Sequence, residues 1–181
     1  MLISQSIFRA LCSLKHTDIQ LYYNAISRID TSNCIKCGSY SRYLVSFEKG
    51  KVTTNLITVY RVIRKGDMSR HTHAILPDII VPYSSYSIRF IIYILYLYTH
   101  RTCSATEFCS KFHISRSTIY DWMNLYSNHL DEWISLLKTA DKSLLDNELK
   151  SISDFLYQFM HTTGHPFLMK CIGYNLIVIP P

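Results

Sequence analysis

One segment constrains the fold more than any other: Thr102 to Tyr126, TCSATEFCSKFHISRSTIYDWMNLY. Ser104 and Glu107 stand at the S-x-x-E spacing of a capping box, so a helix starts there. Its apolar positions, Ala105, Phe108, Cys109 and Phe112, follow at i, i+3, i+4 and i+7. His113-Ile114 breaks the pattern. Ser115 is a good N-cap for a second helix with Ile119, Trp122, Met123 and Tyr126 on its apolar side. Its other side shows Arg116, Ser117, Tyr120, Asp121 and Asn124.

Two short helices sharing one small core, the second with a free polar face, meet the requirements of a helix-turn-helix. The free face must reach phosphates and base edges in the major groove, which suits an Arg, an amide and small hydroxyls. The expected DNA contacts are therefore Ser115, Arg116, Ser117, Thr118, Tyr120 and Asn124. Arg116, Ser117 and Thr118 also sit at a helix N-terminus, where backbone N–H groups attract phosphate. The turn position that is often Gly falls on His113, which adopts a left-handed conformation less easily. The same spacing also fits a plain helical hairpin packed in an all-α domain.

Upstream, residues 3–14 and 18–29 read as two short helices, and TSNCIKCGS (31–39) as a turn-rich stretch. Two strand-like runs follow, Tyr40 to Phe47 and Val52 to Ile63, joined by the Gly-containing turn 48–51. Ala74 to Tyr83 carries Pro77 and Pro82 and is expected to be an extended connector. Ser85 to Tyr98 is apolar almost all round and reads as a core helix. Helices are expected at 128–138 and 143–161, then an apolar tail to Pro181.

Cys34-Ile35-Lys36-Cys37-Gly38 is a C-x-x-C-G knuckle, half of a tetrahedral zinc site. The second half of a ribbon is expected near residues 64–71, where RKGDMSRH holds no Cys. A zinc site of Cys34, Cys37, His71 and His73 is one reading; a ribbon that has lost its metal is the other. Six Cys without an export signal fit a reducing cytoplasm rather than a disulfide scaffold. Arg9 interrupts the first apolar stretch, which does not read as a signal peptide.

The formal net charge is +6. Residues 1–126 hold 15 Lys and Arg against 7 Asp and Glu, a net +8, while residues 127–181 hold 4 against 6. Lys49, Lys51, Arg61, Arg64, Lys65 and Arg70 concentrate this excess, and they are the expected grip on flanking DNA backbone. A solvated basic face without a ligand is the plain alternative. The longest apolar run, Phe90 to Tyr98, falls short of the about 20 residues of a membrane span.

The order of these parts resembles a family of small bacterial proteins related to the N-terminal region of insertion-sequence transposases. The resemblance rests on C-x-x-C-G, a hairpin, THAILP (Thr72 to Pro77) with Pro82-Tyr83, an apolar helix, and ISRSTIYDW, and it covers about residues 30–165. It implies a zinc ribbon ahead of a helix-turn-helix, with Cys34 and Cys37 as the first metal pair. Gly66 and Ser69 fall where the second pair belongs. It implies DNA binding at mobile-element ends or a regulator derived from one, and it does not imply catalysis.

Transposase catalysis needs three carboxylates on a sheet of roughly a hundred residues or more holding two Mg²⁺ ions. Residues 127–181 are too few and read as helices, and no Gly-rich phosphate loop or G-x-S-x-G elbow occurs. The expectation is therefore a DNA-binding, non-catalytic, cytoplasmic and nucleoid-associated protein. The expected fold is mainly α with a small β-hairpin (degenerate zinc-ribbon) subdomain. Its parts are N-terminal helices at 1–30, the ribbon at 31–76, a helical domain with the helix-turn-helix at 84–165, and a tail at 166–181. Expected partners are duplex DNA, a second copy through helices 128–161, or a separate transposase subunit. The alternatives are a protein-interaction module and a truncated mobile-element remnant, since the tail CIGYNLIVIPP (171–181) lacks charge and cap.

Overall fold

The computed structural model describes residues 19–20, 34–48, 51–66, 71–76, 80–100, 104–140 and 158. The helices expected at 3–14 and 143–161 and the tail lie outside these residues, as does most of 18–29, of which Ile19 and Gln20 are helical. Two long antiparallel strands come first, β1 (Cys34–Glu48) and β2 (Lys51–Arg64), followed by the short β3 (His73–Ala74). The sheet order is β1-β2-β3. Three helices follow: α1 (Ile88–Thr99), α2 (Ala105–Phe112) and α3 (Arg116–Ala140).

This overturns the mainly α expectation: the described residues are 51% helix and 32% strand. Part of the difference lies in the stretch TSNCIKCGS, expected as a turn. From Cys34 onward it pairs with β2, Ile35 opposite Ile63 and Lys36 opposite Val62. The strand tolerates its glycine through a bulge between Lys36 and Gly38, where Gly38 takes φ 155. The connection at Glu48↔Lys51 falls where the hairpin signal places it. A second correction concerns the helices expected at 115–126 and 128–138. They form the single helix α3, because no Gly or Pro between Tyr126 and Leu130 stops it.

Period-2 alternation gives the hairpin two unlike faces. Leu44, Ser46, Ile57 and Val59 are buried on one, together with Ile80 and the partly buried Ile19 and Leu76. Tyr43 and Leu56 face each other on the other side, 63% and 59% exposed. The main core lies elsewhere, around α1. Every residue from Ile88 to Tyr96 is buried, Arg89 included, as the almost all-round apolar pattern of this helix requires. Val81, Phe108, Phe112, Ile114, Ile119, Trp122, Tyr126, Trp133 and Leu137 complete that core.

A tight connection joins sheet to helices. Val81 to Ser84 form a turn with Pro82 second and Tyr83 at φ 62 third, closed by Ser84 N–H donating to the Val81 carbonyl at 3.1 Å. This is the geometry of a type II turn. The chain then runs beside β1: Val45 N–H donates to Ser85 O at 2.7 Å, and Ser87 N–H donates to Val45 O at 2.9 Å. The Ser87 hydroxyl accepts from Phe90 N–H at 3.2 Å and caps α1. One buried serine therefore ends the sheet contact and starts the core helix. No described helix is long and apolar enough to cross a membrane.

Ser87→Ala should lower unfolding stability by about 1–2 kcal/mol in urea titration, because it strips a buried cap. Ser84→Ala, which removes an acceptor for Tyr86 N–H outside the helix, is expected to cost less. Equal costs would contradict the role given to Ser87.

Candidate nucleic-acid interface

The segment 104–126 folds as its capping signals demand. Ser104 N–H donates to Glu107 Oε2 at 2.7 Å, and Glu107 N–H donates to Ser104 Oγ at 3.3 Å, a reciprocal capping box. The Ser104 backbone N–H, and after it the Ser104 hydroxyl, hold the Glu107 carboxyl below the usual glutamate range. α2 then buries Phe108 and Phe112. It ends at His113, which adopts φ 54 and ψ 40, the left-handed conformation that the turn requires. Ile114 plugs the core beneath the turn. Ser115 caps α3, its Oγ accepting from Thr118 N–H at 3.1 Å and lying 2.7 Å from Ser117 Oγ and 2.8 Å from Thr118 Oγ1.

Aromatic packing sets the angle at which the pair sits on α1. Phe112 stands edge-on to Phe90 and Tyr93 at ring separations of 6.3 and 6.4 Å. Tyr86, just ahead of α1, stacks on Phe90 at 5.5 Å and meets Trp122 edge-on at 5.0 Å. Such contacts add about 0.5–1.5 kcal/mol each beyond burial. With its apolar side held this way, α3 leaves Arg116, Ser117, Tyr120, Asp121 and Asn124 exposed, at i, i+1, i+4, i+5 and i+8. Ser115 is exposed at the start of the helix and Thr118 is half-buried beside it. The expected contact residues of the helix-turn-helix are thus brought to one continuous surface.

Two partners of that surface escaped sequence reasoning. Thr106, on α2, accepts from Arg116 Nη2 at 2.5 Å. Tyr98, at the end of α1, meets Tyr120 edge-on with ring centroids 6.4 Å apart. Tyr98 reads as one more apolar position of a core helix, and no spacing rule links residues ten or more apart. The only available hint is the polar tip of tyrosine near a helix end.

Lys51 is not brought together with Arg61, Arg64 and Lys65. Lys51 faces Glu48 at one end of the sheet and is exposed; Arg64 faces Cys34 at the other end, with exposed Lys65 beyond it. At about 3.3 Å per residue the two ends of β2 are roughly 40 Å apart. Arg61 lies over the Tyr40 ring at 5.4 Å. Lys49 and Arg70 lie outside the described residues.

The zinc reading meets a similar obstacle. Cys34 stands on β1 opposite Arg64, while His73 stands on β3 opposite Val62, so β2 separates the two halves. Cys37, His71 and His73 are exposed, and Ser69 lies outside the described residues. Among the described residues no group of three or more His, Cys, Asp or Glu converges on a point that could hold a metal. The dimer expected through 128–161 also finds part of its stripe in use. Trp133 and Leu137 are fully buried on the protein's own core, with Leu130, Ile134 and Leu136 packed beside them.

His113→Gly should raise stability by about 1 kcal/mol, since a left-handed residue with a side chain costs about that much. Chemical denaturation measures it directly; a destabilised variant would mean the His113 side chain contributes more than its strain costs. Acid titration offers a second check. The Glu107 carboxyl is held low in the folded state, so its contribution is present above the ordinary glutamate pKa and is lost as pH falls through the folded value. Glu107→Gln should therefore flatten the acid limb of the stability curve.

No protein-family model matches this chain, and no curated protein or solved structure matches it either.

Proposed function

We propose that this protein binds duplex DNA as a helix-turn-helix reader, without a catalytic centre of its own. In this reading it is related to the DNA-binding part of insertion-sequence transposases. The observation that carries the reading is the division of labour on α3. Ile119, Trp122 and Tyr126 are buried, while Arg116, Ser117, Tyr120, Asp121 and Asn124 share one exposed face next to a left-handed turn. A plain helical hairpin has no need of an Arg, an amide and two hydroxyls on one such surface. The net +8 of residues 1–126 supports the same partner.

In the bound state the N-terminal half of α3 lies in the major groove. Arg116 supplies a bidentate donor to guanine or phosphate, and Asn124 an amide suited to adenine. Asp121 can accept from the amino group of cytosine and repels a wrongly placed phosphate, which favours sequence reading over uniform grip. Ser115, Ser117 and Thr118 gather hydroxyls at the start of α3, where its free N–H groups favour a phosphate oxygen.

The second reading is a protein-interaction module. It draws on the exposed Tyr43–Leu56 pair of the hairpin, an apolar surface unrelated to the polar face of α3.

Selection from a random-sequence duplex pool, repeated over a salt series, decides between them. The expected result is one enriched motif and an affinity that falls steeply with salt. Asn124→Ala should then cost about 1–3 kcal/mol and relax preference at one position, while Arg116→Ala should weaken binding to every duplex. Absence of binding at low salt would overturn the DNA reading and favour the interaction module.

A further inference from the structure

We infer that the DNA-contacting surface extends beyond the helix-turn-helix to α1: Tyr98, Tyr120, Arg116 and Thr106 form one cluster that takes a single backbone phosphate of the duplex. This rests on the DNA-binding reading above. Three elements meet here. Tyr98 ends α1, Thr106 opens α2, and Arg116 and Tyr120 lie one turn apart on α3.

The rings of Tyr98 and Tyr120 are near perpendicular, at 89°, with centroids 6.4 Å apart. Tyr98 lies within hydrogen-bonding reach of Tyr120, and this contact raises the Tyr98 phenol above its ordinary pKa, the direction expected when Tyr98 donates. The positive charge of Arg116 opposes that rise, which places the guanidinium within electrostatic reach of Tyr98. Arg116 itself donates to the neutral Thr106 hydroxyl at 2.5 Å, and among the described residues no carboxylate pairs with it.

The cluster is thus rich in donors and carries one uncompensated charge. A guanidinium has five N–H donors and a fork that matches two phosphate oxygens. Donation from Tyr98 to Tyr120 polarises the Tyr120 O–H and strengthens it as a donor in turn. Tyr120 is 51% exposed, so its hydroxyl can reach a ligand, whereas Tyr98 is half-buried behind it. Arg116 and Tyr120 contact the phosphate. Thr106 and Tyr98 are positioning residues, one holding the guanidinium and the other the phenol. A phosphate contact fixes the register of α3 in the groove and carries no sequence preference of its own.

Tyr98→Phe tests this cleanly. It removes one oxygen and keeps the ring that packs on Phe108 at 6.0 Å. Affinity is measured for the duplex motif selected with the unaltered chain and for an unrelated duplex. The expected result is a loss of about 3- to 10-fold on both, the worth of one hydrogen bond. Tyr120→Phe should lose at least as much, and the double variant should lose less than the product of the two, since they act in one chain. Asn124→Ala, by contrast, should weaken the selected motif alone. An affinity for both duplexes unchanged by Tyr98→Phe overturns the proposal while leaving the DNA reading intact. A loss on the selected motif alone also overturns it, because the contact would then be to a base. If the unaltered chain binds no duplex at all, both fall together.

Discussion

The polar face that α3 presents to solvent depends on the burial of α1. A helix that is apolar on almost every side is stable only where other elements cover it. Here α2 and α3 take one part of that surface, β1 takes another through the 85–87 strand contact, and Val81 closes a third. The nine residues Ile88 to Tyr96 are all covered as a result. Neither α2, eight residues long, nor the first turns of α3 would hold a fixed angle without it. The polar face of α3 is outside because its apolar face has this one place to go.

The electrostatics follow from that packing. The outward surface near the α2–α3 turn contains one Arg with a neutral partner, several hydroxyls and one amide, while Glu107 is occupied by the cap of α2. Asp121 is the one carboxylate on the exposed face of the first half of α3. Such a mixture offers directional groups with little net charge, which suits reading a groove better than gripping any polyanion. The hairpin contributes differently. Lys51 stands at the opposite end of a long ribbon from Arg61, Arg64 and Lys65, so these cations do not form one patch.

The helix-turn-helix was readable because its signals are local: a capping box, i, i+3, i+4 spacing and an N-cap serine, all within one segment. The hairpin turn was readable for the same reason. The length of β1 was not, because Cys34 to Ser39 become strand through pairing with residues 59–64, a long-range contact that outweighs the turn propensity of Gly38. Ser127, Asn128 and His129 look like a boundary in sequence, but α3 runs through them because Tyr126 and Trp133, rings 5.3 Å apart, fasten both halves to one core. The roles of Thr106 and Tyr98 stayed hidden because three helices must be docked before either reaches Arg116 or Tyr120. The proposed zinc ligands illustrate the converse: residues of the right type at suggestive spacing fell on strands that a third strand separates.

The central claim is that the outward face of α3 is where duplex DNA sits. Backbone amide shifts followed by NMR during titration with a selected duplex test it most directly. The account predicts that the largest changes fall between Ser115 and Asn124, with a second group around Tyr98 and Thr106, and that the Trp133 region stays still. Changes concentrated on the exposed Tyr43–Leu56 face of the hairpin, with 115–124 unmoved, would contradict it.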